Sequence, residues 1–232
     1  MKEYISENKK IEIDIDYLKN RLFIETKSET ADYNSIINEM ESIIRPRYIY
    51  QKISTGKVKI INTHEVSVNS ITFQGRLLPY LFRDIIGRSI YSFVVTVGHE
   101  IDKWKDCQRD ILKNYWIDKT LEYILDKLVD FIFIDIKNNL CEQSYDISEK
   151  LKLVMITPGT SCDWGLAEQQ NIFKLFVNLK NKIGVDLNEA NIIIPGHSLS
   201  GIILPLNKNL SSCCLCTNKS CNNRKERYIL AE

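Results

Sequence analysis

A chain of 232 residues with 44% apolar and 26% charged side chains has a globular composition and the length to bury a core without covalent staples. Its 31 Lys and Arg balance 30 Asp and Glu, which leaves no basic field to recruit nucleic acid or an anionic membrane. The polar start, Met1–Lys10, lacks an apolar stretch of signal-peptide length, and runs such as Phe131–Ile134 and Gly201–Leu206 are too short to span a bilayer, so the expected setting is the cytoplasm.

Ile11–Ile15 alternates apolar and polar residues, the period of a half-buried strand. Tyr33–Ile44 places Ile36, Ile37, Met40, Ile43 and Ile44 at helical spacing before Arg45-Pro46 stops it. Tyr48–Ile53 and Val58–Ile61 read as two strands of a hairpin joined by Ser54-Thr55-Gly56. A short helix follows over Leu77–Ile86, closed by Gly87, and then a buried strand over Tyr91–Val97. The longest element is a helix over Asp110–Ile136, with Ile117, Leu121, Ile124, Leu125, Leu128 and Ile132 on one broad face and no Gly or Pro inside. Leu151–Ile156 is a strand, and Leu166–Ile183 has the pattern of one amphipathic helix ended by Gly184. Asn191–Ile194 and Ile202–Leu206 read as strands flanking Pro195–Gly201. Strands and helices mix without regular βαβ alternation, so the expected class is α+β, with a mixed, largely antiparallel sheet, a long central helix and flanking helices. Residues 1–206 read as one domain, with its N-terminal strand, helix and hairpin over about 1–65, and residues 207–232 as a cysteine-rich tail.

Four of the 7 cysteines lie between Cys213 and Cys221. Cys213, Cys216 and Cys221 form a C-x2-C-x4-C pattern in which a tight turn brings two sulfurs toward one ion. In a reducing compartment such clustering points to metal or redox chemistry before disulfides. Thiolates suit zinc or an iron–sulfur cluster, and Lys208, Lys219, Arg224 and Lys225 offset their charge. Cys214, adjacent to Cys213, is poorly placed to share the ion. Cys162 is the preferred fourth ligand because it lies in a second segment of functional character. Cys107 and Cys141, flanking the long helix, read as ordinary cysteines.

That second segment is Thr157-Pro158-Gly159-Thr160-Ser161, between a strand and a helix, where glycine permits close backbone approach and the helix start offers free N–H donors to an anionic group. Pro195-Gly196-His197-Ser198 is a comparable loop. His197 can titrate near neutrality, but no Asp or Glu in the sequence is identifiable as its partner. A structural or ligand-contacting role therefore fits it better than a catalytic triad.

Four segments in order resemble the activation domain of cobalamin-dependent methionine synthases, especially its short free-standing forms. They are Phe93-Val-Val-Thr-Val-Gly-His99; the helix with Asp118, Asp126 and Asp130; Thr157-Pro158-Gly159 with Asp163-Trp164, Glu168-Gln169 and Phe173; and Ile183-Gly184-Val185 with Ile194–Gly201. The resemblance runs from about Ile71 to Gly201, and the free-standing relatives often carry a C-x2-C-x4-C tail followed by an arginine, here Arg224. It implies an accessory protein that binds S-adenosylmethionine, docks on a corrinoid-binding methyltransferase or methionine synthase, and reactivates its cob(II)alamin with an electron from a flavodoxin- or ferredoxin-type reductant. The cobalamin belongs to the partner. Carried over by position, Asp126, Thr157, Pro158, Gly159 and Thr160 contact S-adenosylmethionine, with His197 and Ser198 beside them. The family's ligand-binding arginine is Met155 here, and its loop tyrosine is Thr160. An arginine fork holds a carboxylate through charge-assisted bonds worth roughly 1.5–3 kcal/mol each. Its replacement favours an alternative: an iron–sulfur or zinc-binding interaction or electron-transfer module on the same fold, without the methyl donor.

Overall fold

The computed structural model describes residues 3–7, 9–85, 89–141, 152–161 and 163–206, together with 210, 214, 218, 220, 226 and 227. The fold is α+β, built on a five-stranded antiparallel sheet and a long helix. The strands are β1 (Glu3–Ser6), β2 (Arg47–Ser54), β6 (Ser89–Thr96), β10 (Ser198–Leu206) and β7 (Lys152–Ile156), in the order β1-β2-β6-β10-β7. Alternate residues feed two separate cores. Ile49, Val94, Val154, Ile156, Ile202 and Leu204 enter one; Tyr48, Tyr50, Tyr91, Phe93, Val95 and Ile203 enter the other. Because both faces are covered, every residue of β6 is buried, which is why it reads as a continuous apolar run rather than an alternating one.

The second core lies under the helices α1 (Ile15–Leu22), α2 (Lys27–Ile43), α4 (Glu100–Asp106) and α5 (Ile111–Cys141). Thr26 and Glu29 form a reciprocal capping box at the start of α2, which satisfies two otherwise orphaned donors and sets the helix start six residues ahead of Tyr33, the first residue of the apolar pattern. Asp110 Oδ1 accepts from Leu112 N at 2.8 Å and Lys113 N at 3.1 Å, opening α5. The helix buries Ile117, Leu121, Ile124, Leu128, Ile132 and Ile136 as one stripe. It is tied to α2 by the buried Tyr33–Thr120 hydroxyl contact at 2.9 Å.

The first core lies under a three-stranded sheet, β3 (Val58–Ile60), β4 (Glu65–Val68) and β5 (Ile71–Gln74), and under short helices α3 (Leu77–Phe82), α6 (Gln169–Lys174) and α7 (Leu179–Ile183).

Five local expectations change. Ile11–Ile15 is not a strand: Ile11 and Ile13 are buried, but the segment has no ladder partner and its end, Asp14, caps α1. Alternation there inserts two side chains into the core from irregular backbone. Tyr48–Ile53 and Val58–Ile61 are both extended but do not form a hairpin. A 3-10 turn at Thr55–Lys57 sends the chain into the other sheet, where β3 pairs with β4. The short helix ends at Phe82, and Gly87 lies outside the described residues. Leu166–Ile183 is not one helix. Gln51, fully buried in β2, donates from Nε2 to Leu175 O at 2.8 Å. Asn178 then turns left-handed at φ 58°, so α6 and α7 are separate. A non-glycine residue in the left-handed region interrupts an α-helix whatever the periodicity. The Asn191–Ile194 strand shortens to β9 (Ile193–Ile194), paired with β8 (Asp186–Leu187).

Gly201 lies where β10 crosses between β6 and β7. A Cβ there would meet Ile156 O at 2.2 Å and Phe93 Cε1 at 2.9 Å. Gly201→Ala is therefore expected to destabilise the fold by about 1–3 kcal/mol through overpacking, read as a lower urea midpoint. An unchanged midpoint would show that the ladder relaxes freely at this point.

Candidate functional site

Parts of the four segments that resemble the activation-domain family come to one end of the large sheet. β6 leaves the sheet at Thr96, β10 enters it at Ser198 beside Thr96, and β7 ends at Ile156 beside Ile202. Ser198 Oγ donates to Thr96 Oγ1 at 2.8 Å, and Val97 N donates to His197 O at 3.1 Å. The hydroxyl of Ser198 is thus engaged with a threonine and not with His197.

His197 does have an acidic partner, supplied by α5. Its Nε2 lies 3.1 Å from Asp118 Oδ1, and Lys105 of α4 reaches the same oxygen at 2.5 Å. Asp102 also bears on the ring electrostatically. Burial and the Lys105 ammonium lower the imidazole pKa, and they outweigh Asp118 and Asp102, which act to raise it. Sequence reading missed this pairing because Asp118 is distant in the chain and only the packing of α5 on the sheet brings it to β10.

The loop after β7 is rigidly anchored on its far side. Trp164 is fully buried, 6.4 Å from the Phe73 ring. Asp163 accepts from Arg76 Nε at 2.7 Å, and Leu77 N donates to Asp163 O at 3.2 Å. Gly159 N donates to Trp164 O at 2.8 Å, with Gly159 at φ 84°. That left-handed backbone favours glycine, and the hydroxyls of Thr157 and Thr160 on either side of it are in mutual contact. Arg76 is a residue the sequence reading did not single out; it sits on a different element and no local motif marks it.

Thr157, Pro158, Gly159 and Thr160 thus lie at the sheet end where His197 and Ser198 enter β10. Asp126 lies elsewhere on α5, roughly 12 Å along the helix axis from Asp118 at 1.5 Å per residue, and lines a cleft between α1 and α5. Met155, opposite Ile203 in the ladder, is partly buried and packed against the α-helical core. Cys162, Cys213, Cys216 and Cys221 lie outside the described residues. Among the described residues no group of three or more His, Cys, Asp or Glu is placed to hold a metal ion, and no helix is long and apolar enough to cross a membrane. Cys214 is buried against the first core.

The chain is similar in structure to the MetH reactivation domain bound to AdoHcy. The TM-score is 0.60 at 14% sequence identity, over 89% of this chain and 80% of that one. No protein-family model and no curated protein matches the chain. At this identity the likeness establishes the fold: this is the architecture of the MetH reactivation domain.

The His197 environment has a measurable consequence. An unfolded histidine takes up its proton near pH 6.5, whereas the folded His197 takes it up only at lower pH. In that window the unfolded state binds more protons, so His197's contribution is fully favourable above about pH 6.5 and is lost as pH falls. A proton-resolved titration of the His197 ring is expected to show a midpoint below 6.5, and His197→Gln to flatten the acid limb of the stability profile. A midpoint above 6.5 would mean that Asp118 and Asp102 dominate instead.

Proposed function

We propose that this protein binds S-adenosylmethionine and docks on a corrinoid-binding methyltransferase of the methionine synthase type, returning its cob(II)alamin to the active state. The observation that carries this reading is the convergence at one sheet end of the Thr96–Gly98, Asp118, Pro158-Gly159 and His197–Gly201 segments, on a fold similar to a reactivation domain that binds AdoHcy. The partner supplies the cobalamin, a flavodoxin- or ferredoxin-type protein supplies an electron, and S-adenosylmethionine supplies the methyl group. This chain supplies position: the Pro158-Gly159 turn holds backbone close to the ligand, and the Thr157 and Thr160 hydroxyls offer hydrogen bonds. It is accessory to the methyltransferase rather than a complete enzyme.

S-adenosylmethionine is expected to bind in calorimetric titration, and Thr157→Val to weaken it about five- to tenfold, the weight of one hydrogen bond of about 1 kcal/mol. Adding the protein with S-adenosylmethionine and reduced flavodoxin to a cob(II)alamin-inactivated methyltransferase should restore turnover. No recovery with any corrinoid partner, despite ligand binding, would remove the reactivation role.

A second reading has its own support. Met155 occupies the position of the family's carboxylate-binding arginine and is packed into apolar surroundings, as suits a chain that has given up the methyl donor. In that case Cys213, Cys216 and Cys221, with Cys162, hold an iron–sulfur cluster or zinc, and the protein is an electron-transfer or interaction module. Anaerobically purified protein is then expected to be brown with broad visible absorption for iron–sulfur, or colourless with stoichiometric zinc. Protein free of both metals removes this reading.

A further inference from the structure

Where the N-terminal segment meets the junction of α2 and β2 there is a pocket of about 470 Å³, within the roughly 300–1,000 Å³ of small-molecule sites. Buried Ile11, Ile44 and Pro46 give it an apolar lining. The rest of its lining is charged: three cations, Lys9, Lys10 and Arg45, and one carboxylate, Glu41. Lys9 and Arg45 are half-buried, and tertiary contacts hold both. Lys9 N donates to Pro46 O at 2.8 Å, which fastens the N-terminal segment to the junction, and its ammonium lies 4.5 Å from the centre of the Phe131 ring. Arg45 N donates to Val97 O at 2.9 Å. Arg45 Nη1 donates to Ser42 O at 2.8 Å and to Ile44 O at 2.7 Å, satisfying carbonyls that the end of α2 leaves open. Those bonds use one nitrogen of the guanidinium. Its Nε–Nη2 edge, the fork that matches two oxygens of one anion, has no partner among the described residues. None of the three cations has an ion pair among the described residues, although Glu41 lines the same pocket.

We infer that this pocket binds a phosphate monoester carried on a small molecule with an apolar body, an inference that stands apart from the proposed function. Charge decides between anions. Three cations against one carboxylate leave two positive charges. A phosphate monoester brings about −1.5 to −2 at pH 7, whereas a carboxylate brings a single charge. The Arg45 fork takes two phosphate oxygens, and the lysines act as point charges around the group. Ile11, Ile44 and Pro46 receive the apolar body. The chain as a whole has a net charge of +1, too little to draw it to an anionic surface, so a small molecule fits this pocket better than a membrane.

The experiment follows 1H–15N spectra of the full chain, including the Arg45 Nε–H signal, during titration with phenyl phosphate, inorganic phosphate and benzoate. Phenyl phosphate is expected to shift the signals of Lys9 and Arg45, and to bind about fivefold more tightly than inorganic phosphate and about tenfold more tightly than benzoate. Arg45→Gln is expected to weaken phenyl phosphate about tenfold, with Arg45→Lys in between. Lys10→Gln is expected to weaken it about threefold, and Glu41→Gln to strengthen it about threefold. Lys10 and Glu41 are exposed, so these two variants keep the test decisive if Arg45→Gln loosens the end of α2. Circular dichroism checks that each variant is folded. Benzoate binding as tight as that of phenyl phosphate overturns the inference. So does phenyl phosphate binding that is indifferent to all four substitutions or weakened by Glu41→Gln, and so does the absence of binding by any probe. Binding only to vesicles that carry phosphatidic acid also overturns it, because the site is then a membrane contact.

Discussion

β10 runs nine residues with β6 on one side and β7 on the other, and at Gly201 its backbone presses against Ile156 O. No side chain fits that gap. The close approach brings the end of β7, and hence the Pro158-Gly159 loop, alongside the strand that delivers His197 and Ser198. It also sends Ile202 and Leu204 into one core and Ile203 into the other, so the same strand joins the two halves of the molecule.

From this constraint follows a division of labour between the two faces. The first core, under short helices and a small sheet, anchors the loop through Trp164 and the Arg76–Asp163 pair. The second, under α5, brings Asp118 to His197 and presents Asp126 to α1. The loop is held from behind by one layer, and the charged groups come from the other. This end of the sheet carries backbone and hydroxyl groups from the first layer and ionisable groups from the second.

The ionisable groups are not equivalent. Lys105, Asp118 and His197 form a packed cluster in which burial keeps the imidazole neutral at physiological pH. Structural cohesion explains that arrangement without any ligand. Arg21 and Asp126 differ: they line the cleft between α1 and α5 as exposed side chains, without an ion pair among the described residues.

Much of this was legible in the residues. The apolar stripe from Ile117 to Ile132 specifies α5, because a helix that packs on a sheet must repeat its buried face every three or four residues. The β6 run, the Gly184 stop and the α+β class follow from equally local rules, and the ordered motifs pointed to the fold. What the sequence could not determine is everything that depends on a partner distant in the chain. Gln51 binds the carbonyl of Leu175 just past the end of α6, and Asn178 turns left-handed, within a run that periodicity alone would continue as one helix. The turn at Thr55–Lys57 separates two strands that local pattern would pair. Asp118 finds His197, and Arg21 finds the far side of the Asp126 cleft, only when α5 packs on the sheet and α1 packs on α5. Propensity and periodicity act over a few residues, while pairing, desolvation and charge compensation are set by whichever groups packing brings within a few ångströms. For that reason most elements were fixed locally, while strand pairing, the break between α6 and α7, and the site were fixed by tertiary structure.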